Sequence, residues 1–303
     1  MKLPAFLTLA LLAGAAVARD ETLEEKFQCL KEAVTNKNAP EVKKYFLEIY
    51  PVATAAISAH APESDDERET WATGVARAKS IAVYAEYALF STASVSPAPA
   101  LIDLVRTLEE ANPKSQYLDA AYGPYLVALS QTGEAAKVPA IAEKGLARFP
   151  ENEDLLLYLA DSSLTRKQPD RALTYATRLV SVMSKHPKPE GMAAAQWERK
   201  RNASLGRGYW ICGVLQGERS QYVAADKNLR AALPLIQGND SMMGPALFYL
   251  GTVNYELGKM TLSKPRVLEG ARFSEQCSGI EGPYADQARH NALVMKNEAA
   301  RMR

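Results

Sequence analysis

"YGPYLVALSQTGEAAKVPAIAEKGLARFP" (residues 122–150) and "LLYLADSSLTRKQPDRALTYATRLVSVMS" (156–184) align without a gap at a shift of 34 residues. Tyr125 falls on Leu159, Leu126 on Ala160 and Leu129 on Ser163. Further on, Val138 falls on Ala172, Ala142 on Ala176 and Gly145 on Leu179. Within each half, apolar residues return at three- and four-residue intervals, which predicts one buried stripe per helix. Small residues at matching places mark where two helices approach closely, because a larger side chain would hold the backbones apart. Gly133 in one copy and Lys167–Pro169 in the other break the chain between halves, and Pro150 stops further helix. Each copy is expected to be a helix–turn–helix.

A helix–turn–helix of this period resembles the tetratricopeptide repeat. "ALFYLGTVNYELGK" (246–259) carries the same resemblance. Leu247, Leu250, Gly251 and Gly258 fall where the pattern W-x2-L-G-x2-Y-x3-G expects its first helix, with Leu247 replacing Trp and Tyr255 one residue late. A phosphate-binding loop is excluded here on spacing. It needs four residues between Gly and Gly-Lys and then Ser or Thr, whereas six separate Gly251 from Gly258 and Met260 follows Lys259. Gly251 is therefore read as a packing glycine. The second helix, "VLEGARFSEQCS" (267–278), arrives late, which predicts a short insertion around Thr261–Arg266.

Weaker copies lie on either side. Residues 208–236 form a pair with Ala225, Leu229 and Ala232 in the second helix. Residues 81–90 pair with 99–113, and 23–34 pair with 40–51, the last closing at Pro51. The expected fold is all-α: a right-handed superhelical solenoid of such repeats over residues 19–282, capped by one amphipathic helix at 283–303. A stacked array leaves its last apolar face open, and a terminal helix with a polar outer side covers it. Two connectors interrupt the period. Residues 52–69, ending in "APESDDERE", read as a mobile acidic loop; residues 185–204 contain Arg199-Lys200-Arg201, read as a solvated helix face.

At the amino end, Lys2 precedes an apolar run from Leu3 to Ala18, and charge begins at Arg19. The run is shorter than the ~20 residues a spanning helix needs. It ends on Ala16-Val17-Ala18, the pattern of a signal-peptidase site. A signal peptide at residues 1–18, cleaved after Ala18, is expected, with a periplasmic or secreted mature protein and no integral membrane span. The chain has three cysteines, Cys29, Cys212 and Cys277, which do not make a disulfide framework. One bridge, Cys212–Cys277, is sterically open to expectation, but small buried hydrophobes are the simpler reading.

The formal net charge of +1, from 36 basic and 35 acidic residues, supplies no long-range field for nucleic acid. His60, His186 and His290 lie far apart, with no partner at metal-ligand spacing. No G-x-S-x-G nucleophile elbow occurs. "GRGYWICG" (206–213) has Ile211 where a dinucleotide fingerprint needs its third Gly. No catalytic residue, metal site or cofactor is expected.

The resemblance implies a concave groove lined by the first helix of each repeat, holding a protein or peptide partner, here one of the cell envelope. The implied lining is Ala120, Gly123, Val127, Ser130 and Gln131, then Asp154, Leu157, Asp161, Leu164 and Thr165. A third set is Pro245, Phe248, Thr252, Tyr255 and Glu256. Of these, Gln131, Asp154, Asp161, Phe248, Thr252 and Tyr255 are the candidate contact residues, Asp161 and Tyr255 being expected outside the core. The lining contains neither Lys nor Asn, which suits an extended, uncharged or mildly basic segment. The expected function is an exported scaffold or adaptor. The alternative is a periplasmic protein binding a small ligand or glycan in the same groove, marked by exposed Trp and Tyr.

Overall fold

The computed structural model describes residues 22–302, so the signal peptide expected at residues 1–18 lies outside them. Among the described residues the fold is all-helical, with thirteen α-helices and no strand. None of these helices is long and apolar enough to cross a membrane. The chain forms two compact units, one ending at Tyr117 and one starting at Leu118.

The first unit contains α1 (Leu23–Thr35), α2 (Ala39–Ser58), α3 (Asp65–Ala93) and α4 (Ala98–Ala111). Thr22 starts α1 through a capping box: its hydroxyl accepts from Glu25 N, and the Glu25 carboxylate accepts from Thr22 N. Phe27, Leu30 and Ala33 on α1 and Val42, Phe46, Ile49 and Ala53 on α2 are buried. Pro51 does not end α2, contrary to the expectation from its ring. It sits on an exposed position, where water can serve the carbonyl that loses its amide donor, and the helix continues to Ser58. The acidic loop expected at 52–69 shrinks accordingly to residues 59–64. Asp65, Asp66 and Glu67 instead occupy the first turn of α3, where the helix dipole favours carboxylates.

The second unit starts at the second residue of α5 (Tyr117–Gln131) and runs through α6 (Val138–Arg148), α7 (Glu153–Thr165), α8 (Pro169–Lys185) and α9 (Ala194–Glu218). It continues with α10 (Tyr222–Ala232), α11 (Asp240–Met260), α12 (Lys264–Ser278) and α13 (Ala285–Arg301). From α7 onward each helix packs on the next; α7 also reaches α9, α9 reaches α11, and α11 reaches α13. All six position pairs matched by the 34-residue shift are buried on both sides. At Gly145 an added Cβ would stand 2.9 Å from the Tyr122 ring, so this helix crossing needs glycine.

Four turns share one construction. Lys37, Lys167, Ser220 and Leu262 have φ of 54°, 56°, 58° and 53°, each in a three-residue turn between paired helices. After each, the next amide reaches back five residues: Asn38 N to Ala33 O, Gln168 N to Ser163 O, Gln221 N to Gln216 O and Ser263 N to Gly258 O. These are Schellman caps with the left-handed residue at the position glycine usually takes. Gly133, at φ 82°, occupies that place after α5, with Glu134 N bonded to Leu129 O.

The insertion expected at Thr261–Arg266 is absent, since only Thr261–Ser263 separate α11 from α12. The small residues of α12 that meet Gly251 across the pair are Gly270 and Ser274. Gly251 is a packing glycine: a Cβ there would stand 2.3 Å from Ser274 Oγ and 3.2 Å from Gly270 O. No disulfide joins Cys212 and Cys277. All three thiols are free, and Cys277 donates to Gly244 O at 3.3 Å.

Candidate functional site

In the second unit, α5 and α7 enclose an open cleft of about 470 Å³. Seven of the ten positions implied for these two helices line it: Gly123, Val127, Ser130 and Gln131 from α5, and Asp154, Leu157 and Asp161 from α7. Ala120, Leu164 and Thr165 do not line it. Val127 is 56% exposed, a large apolar side chain left open on the cleft lining.

The spacing on α7 follows from its start. Asn152 caps the helix, its Oδ1 accepting from Leu155 N at 2.8 Å. The same side chain donates to Asp119 O at 2.7 Å and to Asp119 Oδ1 at 2.8 Å, tying α7 to the first turn of α5. Asp154 then lies over Gly123, where an added Cβ would be only 2.4 Å from its Oδ2. Two turns on, Asp161 occupies the same face.

Both carboxylates are held from α9. Lys200 Nζ lies 2.8 Å from Asp154 Oδ2 and 2.8 Å from Glu153 Oε1. Arg207 Nε donates to Asp161 Oδ1 at 2.7 Å, with its guanidinium 4.6 Å above the Trp210 ring. The expectation of a lining without Lys is thus corrected in its consequence: the cleft's own wall has no base, but α9 sets two cations directly behind its acids. The run 199–201 is likewise more than a solvated face, because Lys200 is paired and Arg201 Nε donates to Met183 O.

Burial pushes the Asp154 carboxyl above its ordinary value, and Lys200 only partly opposes that. Burial pulls the Lys200 ammonium down, yet Asp154 and Glu153 together outweigh it and leave its pKa raised. The two directions agree physically. One ammonium serves two carboxylates, so it gains from both while each acid receives a share.

Phe248, Thr252 and Tyr255 do not join this cleft. Phe248 packs against Tyr284, ring centroids 4.8 Å apart, at the approach to α13. The Thr252 hydroxyl donates to its own helix at Tyr249 O, 3.1 Å. Tyr255 packs beside Val267, Ala271, Met295 and Ala299, and its hydroxyl donates to Glu298 on α13. Tyr255 is thus partly buried beside this cluster, and α13 packs on this face of α11.

Sequence reasoning missed Lys200 and Arg207. The signal was present as a constant offset of 46 residues, which joins Asp154 to Lys200 and Asp161 to Arg207. A search confined to a period of 34 passes over it, because residues 186–193 lengthen the link between α8 and α9. Among the described residues, no group of three or more His, Cys, Asp or Glu is placed to hold a metal ion. No protein-family model matches the chain, and no curated protein matches it significantly in sequence.

Proposed function

We propose that this chain is an exported adaptor of the tetratricopeptide-like solenoid kind, which holds an extended protein segment in the cleft between α5 and α7. The observation that carries the proposal is the composition of that cleft: an exposed Val127 and a half-buried Leu157 with polar groups at Ser130, Gln131 and Asp161. Apolar floors with a few placed polar groups give both contact area and orientation. Three acids, Glu153, Asp154 and Asp161, meet two cations, Lys200 and Arg207, and the surplus negative charge favours an uncharged or mildly basic segment over an acidic one. The partner is a protein of the cell envelope, reached after removal of residues 1–18.

The test is site-specific photocrosslinking in an exporting bacterium, with a benzophenone amino acid at Val127 and, as control, at the more exposed Val223. Discrete adducts from Val127 alone, lost in Leu157→Glu, are expected. Adducts of equal yield from both positions would remove the cleft from consideration. A free sugar that abolished the Val127 adducts would transfer the cleft to the small-ligand alternative.

A further inference from the structure

Three turns of the second unit lie along one edge. Arg219, in the α9–α10 turn, pairs at 2.8 Å with Asp170, just beyond the α7–α8 turn. The α9–α10 turn in turn meets the end of α11 across an open depression of about 420 Å³, where Val223 faces Leu257 and Met260. The α11–α12 turn, Thr261–Ser263, follows directly. Val223, Met260 and Leu262 stand on this edge at 74%, 71% and 84% exposure, the three most exposed large apolar side chains among the described residues. Leu262 is moreover held at φ 53°, where an L-residue is strained and where glycine is the usual occupant of such a cap. Exposed apolar groups gathered in one place mark a surface that meets something other than water.

We infer that this edge docks on the surface of an anionic lipid bilayer, with Val223, Met260 and Leu262 entering the interface. Charge selects that occupant. Within two residues of the three turns stand five cations, Arg166, Lys167, Arg219, Lys259 and Lys264, and two acids, Asp170 and Glu218. Glu256 lies 3.6 Å from Lys259, and with it counted the edge is still cationic. A layer of anionic headgroups complements that surplus while its acyl boundary takes the apolar tips, the combination by which peripheral segments bind membranes. A second copy of the same edge would instead set like charge against like charge.

The backbone of the tip suits the same medium. Thr261 N, Leu262 N and Ser263 N donate to Leu257 O, Lys259 O and Gly258 O, and the Thr261 hydroxyl donates to Leu257 O at 2.7 Å. All three amides of the turn are therefore satisfied within the protein, and none is carried bare into a region poor in acceptors. No helix among the described residues can span the bilayer, so the contact is one of surface docking.

The experiment spins the chain lacking residues 1–18 with sucrose-loaded vesicles, either phosphatidylcholine mixed with phosphatidylglycerol or phosphatidylcholine alone. Soluble poly-glutamate forms a third arm. Sedimentation with the anionic vesicles, weakened by added salt, is expected. The triple variant Val223→Gln, Met260→Gln, Leu262→Asn should bind them at least about tenfold less, the worth of burying one such side chain. Asn is chosen at 262 because it tolerates the left-handed conformation. Arg166→Gln with Lys167→Gln should weaken binding by about tenfold or more, at roughly fivefold for each base near a charged surface. Val127→Glu should leave it unchanged, which keeps this inference separable from the cleft between α5 and α7. A benzophenone at Val223 should accordingly yield lipid adducts and no discrete protein adduct. Absence of sedimentation, undiminished sedimentation of the triple variant, or equal sedimentation with uncharged vesicles would each overturn the inference. So would binding of poly-glutamate without binding of vesicles, which would assign the edge to an acidic protein.

Discussion

Lys200 reaches from α9 to place its ammonium 2.8 Å from Asp154 and 2.8 Å from Glu153, so two consecutive acids at the start of α7 share one cation. The side chains of Lys200 and Asp154 retain 30% and 29% exposure. Breaking a buried pair costs ~3–5 kcal/mol, and this partial solvation reduces it, so Lys200→Met should cost about 2 kcal/mol at neutral pH. Acid should narrow the deficit. Burial raises the pKa of Asp154, so its ionised form costs the fold stability above that raised value, and the cost fades as pH falls toward the ordinary ~3.9. Without Lys200 the Asp154 carboxyl is raised further, so the cost is larger and its relief begins at higher pH. Urea unfolding of both proteins at neutral pH and near pH 4 checks this; a deficit equal at both would show that packing, not charge, is what Lys200 supplies.

Three tyrosines donate to carboxylates across helix pairs: Tyr50 to Glu86 at 2.8 Å, Tyr249 to Glu218 at 3.2 Å, and Tyr255 to Glu298. Burial is the main cause that raises Tyr50 and Tyr249, while for Tyr255 the bond to Glu298 is the main cause and sets it at about 12. A raised phenol keeps its proton in the fold after the unfolded chain has lost it. Stability is therefore full below the ordinary value of about 10 and falls as pH rises from there through the raised values. Thermal unfolding from neutral pH into that alkaline range should show a decline that flattens in the Tyr50→Phe, Tyr249→Phe, Tyr255→Phe triple variant. Parallel declines in the two proteins would assign the alkaline loss to other groups.

Much of the fold was legible because helix pairs repeat their spacing. The buried pairs from Tyr125–Leu159 to Gly145–Leu179 follow from one shift of 34, and Gly251 follows from its place in the motif. Boundaries were less legible where a local rule was overruled by position. Pro51 is exposed, so its missing donor faces water, and the acids at 65–67 fall on a helix start where they are favoured. Seven of the ten lining positions on α5 and α7 that the repeat resemblance implied do line the cleft. Its rear wall could not be read, because Lys200 and Arg207 come after a connector of different length, and the partial cover of Tyr255 by α13 comes from outside its own repeat.

Glycines at the α11–α12 crossing and in α3 should respond in opposite directions. A Cβ on Gly270 would stand 2.7 Å from Gly251 O and 2.9 Å from Tyr255 N, both backbone atoms that cannot rotate away. Gly270→Ala must separate the two helices and should cost about 1–3 kcal/mol, the range for overpacking. Gly74 lies inside α3, exposed, with nothing within 4 Å of an added Cβ. Gly74→Ala should stabilise by about 0.5–1 kcal/mol through helix propensity alone. Denaturant midpoints of both variants decide the matter, and a neutral Gly270→Ala would mean that the helices are not in backbone contact there.

Leu262 adopts a left-handed conformation at φ 53° while its side chain is 84% exposed, so it bears backbone strain without compensating burial. For an L-residue the left-handed region costs roughly 1–2 kcal/mol, chiefly from the approach of Cβ to the following carbonyl. Glycine avoids that contact but loses more chain entropy on folding, which returns part of the gain. Leu262→Gly should therefore stabilise the protein by about 0.5–1 kcal/mol. The bonds that define the turn, Leu262 N to Lys259 O at 3.2 Å and Ser263 N to Gly258 O at 2.8 Å, do not involve the side chain and should persist. The reciprocal change at the equivalent turn supplies the control. Gly133, at φ 82° with open space around it, should lose a similar amount on replacement by Ala, because the strain is in the backbone and not in any neighbour. Melting curves of the two single variants and the double variant separate the effects, and these sites are distant enough that their shifts should add. A destabilised Leu262→Gly would show that the exposed leucine makes a contact in solution, and that outcome would point to an association through this turn.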